Sequence, residues 1–159
     1  MFSTIVVPLD GSEIAEAALS YAKDLAVKSK GILHLMRVSS ADMIINSLGG
    51  YSVPQSIIET QLQVQKDYLA RIQEQLEGEG LSVKIHLEQG DPSSSILALA
   101  QQEHSDLIVM TSHGRSGISR FLMGSVAERL CRHAQCPVLV VGHETLKGLA
   151  ERQTGIRGL

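Results

Sequence analysis

The sequence predicts an α/β protein: an open parallel sheet of five strands in the order 3-2-1-4-5, with helices on both faces. Three observations carry that expectation. Strand and helix patterns alternate along the chain, and strands joined by helices pair in parallel through right-handed crossovers. Thr4–Leu9 (TIVVPL), Asp106–Met110 (DLIVM) and Pro137–Val141 (PVLVV) are almost wholly apolar, as strands covered on both faces are. Ser82–Leu87 (SVKIHL) instead alternates Val83, Ile85 and Leu87 with Lys84 and His86, so it has one wet face and belongs at an edge.

The elements follow in order. Thr4–Leu9 is the first strand and ends at Asp10-Gly11. Ser12 caps the first helix, whose apolar positions Ile14, Ala17, Ala18, Tyr21 and Leu25 keep the 3.6 period; Gly31 is its expected stop. Ile32–Val38 is the second strand and Ser39–Val53 a polar, glycine-bearing loop. Pro54 opens a long helix with Ile58, Leu62, Leu69, Ile72 and Leu76 on one face and Gly78 and Gly80 at its end. After the third strand, Asp91-Pro92 pairs an N-cap with a proline at the first helical position. The fourth strand runs into a loop crowded with glycine and hydroxyl residues. There Ser125-Val126-Ala127-Glu128 has the form of a capping box and opens a last helix to about Ala134. Pro137–Val141 is the fifth strand.

Composition narrows the class. A chain of 159 residues is most economically one domain, able to bury roughly two-thirds of its unfolded surface. Its net charge of −3 gives no pull towards nucleic acid or an anionic membrane. No apolar run approaches the ~20 residues a membrane span needs, and Met-Phe-Ser-Thr-Ile has no basic segment of the kind that opens a signal peptide. Cys131 and Cys136 fit neither a zinc spacing nor Cys-x-x-Cys, so they read as reduced thiols of a cytoplasmic protein. His34, His86, His104, His133 and His143 show no metal-ligand spacing. We expect one domain over residues 1–142, with the polar segment 143–159 as a surface tail.

In this strand order the winding reverses between the first and fourth strands, and ligands of open parallel sheets sit beyond the carboxyl ends there. The loops at that point are Asp10–Ser12 and the glycine- and hydroxyl-rich stretch within Met110–Leu130. Neither a P-loop nor Gly-x-Gly-x-x-Gly after the first strand is present. What the second loop offers is Gly114, Gly117 and Gly124-Ser125 directly before a helix, with Arg115 and Arg120 adding positive charge. Free amides at a helix start form an anion cradle, and a glycine there lets a phosphate approach; the same pair also serves as a plain helix cap. Asp10 either accepts from ribose hydroxyls, a base amine or a bound Mg²⁺, or forms an Asx turn with Gly11. Met110 and Val38 are core residues first. His113 is a lone loop histidine with no visible partner, and it carries no catalytic assignment.

The stretches TIVVPLDGSEIAEAAL, LHLMRV and DLIVMTSHGRSGISRFLMGSVAERLCRHAQCPVLVV resemble the universal stress protein family over about Met1 to Gly142. Nucleotide-binding members of that family carry Gly-x2-Gly-x9-Gly-Ser/Thr after the fourth strand. Gly114, nine residues and Gly124-Ser125 match it, whereas the first glycine of the pattern falls on Thr111, whose Cβ restricts φ and close approach. The resemblance implies a Rossmann-like universal stress protein fold and a nucleotide lying across the strand ends. By position, Pro8, Leu9 and Asp10 meet the adenosine side and Val38 the base. Met110, Thr111 and Gly114 meet the ribose and first phosphates; Gly124, Ser125 and Val126 meet the outer phosphates. The implied cofactor is ATP, or AMP or ADP, with Mg²⁺, in a stress-response sensor or regulator. The resemblance equally allows a nucleotide-free interaction module. Dimers of the family join at the last strand, and PVLVV is an edge with no blocking charge, so a homodimer through Pro137–Val141 is expected. No base for water and no Walker-type lysine is visible, so any ATP hydrolysis is expected to be slow.

Overall fold

In the computed structural model, residues 1–39, 54–112 and 123–142 are described. The proposed tail 143–159, the loop 40–53 and the loop positions 113–122, with His113, Gly114, Arg115, Gly117 and Arg120, lie outside them. The elements are β1 (Thr4–Pro8), α1 (Glu13–Ser29), β2 (Ile32–Ser39), α2 (Gln55–Gly78), β3 (Ser82–Gln89), α3 (Pro92–Gln102), β4 (Leu107–Thr111), α4 (Ser125–His133) and β5 (Val138–Val141). The strands form one five-stranded sheet in the order β3-β2-β1-β4-β5, every neighbouring pair parallel, as the sequence predicts.

Alternation along the strands divides the core in two. Ile5, Val7, Leu33 and Leu35 face α1 and α2, while Val6, Met36, Ile108 and Met110 face α3 and α4. The stripe α1 turns to the sheet is Ala15, Ala18, Ala22 and Ala26, with Leu19, Tyr21 and Leu25 only partly buried beside it. Alanines let the helix axis sit close to the strands, so the larger apolar residues flank the contact and do not fill it. The face expected from Ile14, Ala17 and Tyr21 is thus rotated by about one residue. β5 corrects another expectation. Its apolar run does not reflect burial on both faces, because Leu139 is 38% exposed at the outer edge of the sheet. β3 follows its alternation at the start, with Val83 buried and Lys84 exposed, whereas Ile85, His86 and Leu87 are all half-buried.

The end of α1 also departs from expectation. The left-handed cap residue is Lys30, at φ 54°, and the Gly31 amide donates to the Ala26 carbonyl at 2.9 Å. Gly31 serves a different purpose. A Cβ on it would fall inside van der Waals contact of the Phe2 carbonyl oxygen and lie 3.1 Å from that of Ser3. The chain therefore needs glycine at 31 for close approach and tolerates lysine in the left-handed site. Gly31→Ala is expected to destabilise by about 1–3 kcal/mol, as overpacking against backbone does. Lys30→Gly should stabilise by about 1 kcal/mol, because a left-handed lysine costs that much. Urea unfolding of the two variants checks both signs.

Candidate functional site

At the carboxyl ends of β1, β2 and β4, where the winding reverses, lies a cleft of ≈ 300 Å³. Nine of the ten expected site residues line it: Pro8, Leu9 and Asp10 from the end of β1, Val38 from β2, Met110 and Thr111 from β4, and Gly124, Ser125 and Val126 at the start of α4. The tenth, Gly114, lies outside the described residues. The cleft is walled on one side by Pro92 and Ile96 of α3 and on another by Gln65 of α2.

Asp10 stands at the first turn. Its Oδ1 accepts from the Ser12 amide at 2.9 Å and from the Ser12 hydroxyl at 2.6 Å, which is the Asx turn that the sequence leaves open. Ser12 Oγ in turn accepts from the Ala15 amide at 3.1 Å and caps α1. Between them Gly11 takes φ +84°, and a Cβ there would lie 3.1 Å from the guanidinium carbon of Arg37. The left-handed φ favours glycine, and a side chain there would also displace the Arg37 guanidinium.

The second wall is the start of α4, and here one expectation is corrected. The N-cap is Gly124, with no side-chain cap bond, and Ser125 is the first helical residue, so Ser125-Val126-Ala127-Glu128 is not a capping box. The reason is a contact remote in sequence. The Gly124 amide donates to the Ser112 carbonyl at 2.8 Å, and the Ser112 amide to that of Val141 at 3.0 Å. These bonds pin both ends of the loop and fix where the helix begins. The first intrahelical bond runs from Glu128 N to Gly124 O at 2.9 Å. The amides of Ser125, Val126 and Ala127 thus have no acceptor within the helix, and all three residues line the cleft. The Gly124 amide itself is committed to Ser112, so it is not part of the anion cradle expected there. Arg129 of α4 bonds Asp91 Oδ1 at 3.1 Å and Ser94 Oγ at 3.3 Å, tying the start of α3 to α4. The Ser94 hydroxyl and amide, with Arg129 beside them, hold the Asp91 carboxyl below its ordinary value.

Eight lining residues were not expected, and three of them bear on the chemistry of the cleft. Arg37 is buried in the cleft wall with its guanidinium 5.0 Å from the centre of the Tyr68 ring, a cation–π distance. Burial pushes the Tyr68 hydroxyl above its ordinary range, and the Glu16 carboxylate adds to this. Gln65 is buried, donates to Ser39 Oγ at 3.2 Å and keeps Oε1 without a partner among the described residues. Ala127, buried in the second core layer, brings the third of the α4 amides. A signal for Gln65 exists in the sequence, since it falls in the register of the Leu62, Leu69, Ile72 and Leu76 stripe and is the polar residue within it.

The model of the universal stress protein family matches residues 1–142. Universal stress protein MJ0577 of Methanocaldococcus jannaschii is 30% identical over 154 residues, which span 89% of this chain and 95% of that protein. Universal stress protein YxiE of Bacillus subtilis is 30% identical over 147 residues, 89% of this chain and 99% of its own length. Among solved structures, that of MJ0577 superposes with a TM-score of 0.79 at 29% identity, covering 90% of this chain and 97% of the other. A universal stress protein in complex with cAMP shares the fold, with a TM-score of 0.60 at 23% identity over 89% of this chain and 97% of its own.

Proposed function

The chain belongs to the universal stress protein family, and from that premise we propose that its cleft binds an adenine nucleotide, ATP or a close relative, in a cytoplasmic stress-response protein. One observation carries this reading. A helix start with three amides lacking an intrahelical acceptor, capped by a residue without a side chain, opens into a cleft at the reversal point of the sheet. The positive end of the helix and its amides favour an anion there. Pro8, Leu9 and Asp10 would take the adenosine side, Val38 the base, Met110 and Thr111 the ribose and first phosphates, and Ser125 and Val126 the outer phosphates. Mg²⁺ bound with the phosphates would neutralise part of their charge, and Asp10, a carboxylate in the cleft lining, would be an alternative oxygen ligand to its role on the adenosine side. No step of catalysis is assigned to any residue. Mass spectrometry of nucleotide released from freshly purified, denatured protein is the direct test, and an adenine nucleotide is the expected result.

A nucleotide-free interaction module is the alternative, and one observation favours it. Thr111 stands where the family's nucleotide motif begins with glycine, and it is buried in the cleft wall. Absence of any released nucleotide, with no binding of ATP, ADP, AMP or cAMP at millimolar concentration, would decide for it. Under either reading we propose a homodimer through the β5 edge. Val138–Val141 is an outer strand without a charged residue, and Leu139 is its most exposed side chain. Leu139→Lys puts a charge into that edge, and light scattering is expected to shift from the mass of a dimer to that of a monomer. A wild-type monomer, or a dimer that survives the lysine, would refute this assembly. No helix among the described residues is long and apolar enough to cross a membrane.

A further inference from the structure

His34 is only 1% exposed, and its Nδ1 lies 3.1 Å from Nε2 of His86 across the β2–β3 pair. The two ring planes are within 11° of parallel and their centroids are 5.2 Å apart. At that separation the two nitrogens share one proton, one ring donating and the other accepting. The strand register explains the meeting. His34 sits opposite Lys84 and Met36 opposite His86, so both imidazoles stand on the face that α3 covers. Glu103, the residue that ends α3, brings Oε2 to 3.7 Å from His34 Nδ1 and to 3.8 Å from Lys84 Nζ. Among the described residues, the charged groups around the pair are Glu103 from the end of α3 and Lys84 and Glu88 from β3. The nucleotide reading uses none of them.

One extra proton is compatible with this arrangement, since an imidazolium still donates to its neighbour and Glu103 lies beside it. A second proton sets N–H against N–H at 3.1 Å, and the contact has to open. We propose that the His34–His86 pair, closed over by Glu103, is an acid-sensitive latch that fastens the edge strand β3 and the end of α3 together. Of the elements the pair joins, β2 and α3 reach the cleft. Met36 and Val38 of β2 line it just beyond His34, and Pro92 and Ile96 line it from the other end of α3. Opening the latch therefore loosens one wall of the cleft.

The direction with pH follows from burial. Burial pushes both imidazoles below their ordinary value of 6.5; Glu103 opposes this and Lys84 adds to it. A group whose pKa is lower in the fold than in the open state binds fewer protons while closed. Its contribution is present above pH 6.5 and is lost as pH falls from there through the folded values.

The test uses the full chain without ligand. Proton NMR of the imidazole carbon-bound hydrogens is expected to show both rings titrating below 6.5 with interdependent midpoints. Amide hydrogen exchange, corrected for its intrinsic pH dependence, should show β3 and the end of α3 opening more often in acid. The increase can reach about tenfold per pH unit for each proton taken up. β4 at the opposite side of β1 should respond less. In His86→Gln the side-chain amide still offers His34 a hydrogen-bond partner but cannot titrate, so the acid response of β3 and α3 should shrink to less than half on the logarithmic scale. Rings that titrate at the ordinary value, equal acid response in β4 and β3, or an unchanged response in His86→Gln would each overturn the latch. None of these readouts depends on nucleotide, so a failure of nucleotide binding does not touch them.

Discussion

Saturating ATP with Mg²⁺ is expected to raise the melting temperature by about 5–10 °C, and Gly124→Val to erase most of that rise. A ligand at ~100 times its dissociation constant stabilises the folded state by ~2.7 kcal/mol, and a domain of this size gains roughly 2–4 °C per kcal/mol. The substitution is informative because of the backbone at 124. Gly124 has φ −62° and ψ 151°, an extended conformation that valine adopts readily. The valine therefore adds bulk at the start of α4 in a backbone conformation it can adopt. Because valine is a poorer N-cap than glycine, unliganded stability should fall by about 1 kcal/mol and is measured beside the ligand response. Ser125→Ala separates the hydroxyl from the amide. Because Ser125 is the first helical residue and not the cap, its unliganded stability should change by no more than about 0.5 kcal/mol. Differential scanning calorimetry of the three proteins, with and without millimolar nucleotide, checks all of this. A valine variant that keeps the full rise would remove the start of α4 from the site.

What the sequence shows of this molecule depends on the range over which each feature is determined. The strand order follows from patterns within single segments: the alternation of Val83, Ile85 and Leu87 with Lys84 and His86 marks an edge, and LIVMT is buried at every position. Caps written in neighbouring residues are legible too, as Ser12 and Asp91 both accept from amides three residues on. The start of α4 is decided otherwise. Ser125 and Glu128 have the local signature of a capping box, but the bond from Gly124 to Ser112 spans the whole intervening loop and moves the cap back by one residue. Gly31 misleads in the same way. Next to a helix end it reads as the cap, whereas its contact is with Phe2 and Ser3, which lie just before β1. The cleft residues on β1, β4 and α4 are legible because a strand order fixes where its reversal lies. Arg37 is not, since a strand residue shows its surroundings only once α2 and Tyr68 are placed against it.

The largest loss of stability expected from a single residue beside the cleft is that of Leu130→Ala, and it should take the site with it. α4 has only nine residues, too few for a helix to hold in water by itself. Its buried residues are Ala127 and Leu130, and Leu130 is 0% exposed. Truncating it leaves a cavity beneath the helix, which costs about 2–5 kcal/mol. Most of what holds the Ser125, Val126 and Ala127 amides towards the cleft is lost in the same step. Leu76→Ala is the matched control. It is also buried, 4% exposed, and belongs to the other core layer, against α2 and away from the cleft lining. Both variants should fall in urea midpoint by comparable amounts. They should differ in their response to nucleotide: Leu76→Ala keeps the rise in melting temperature, and Leu130→Ala loses most of it at the same ligand concentration. Equal rises in the two variants would mean that α4 does not hold the ligand, however stable its amides are in the free protein.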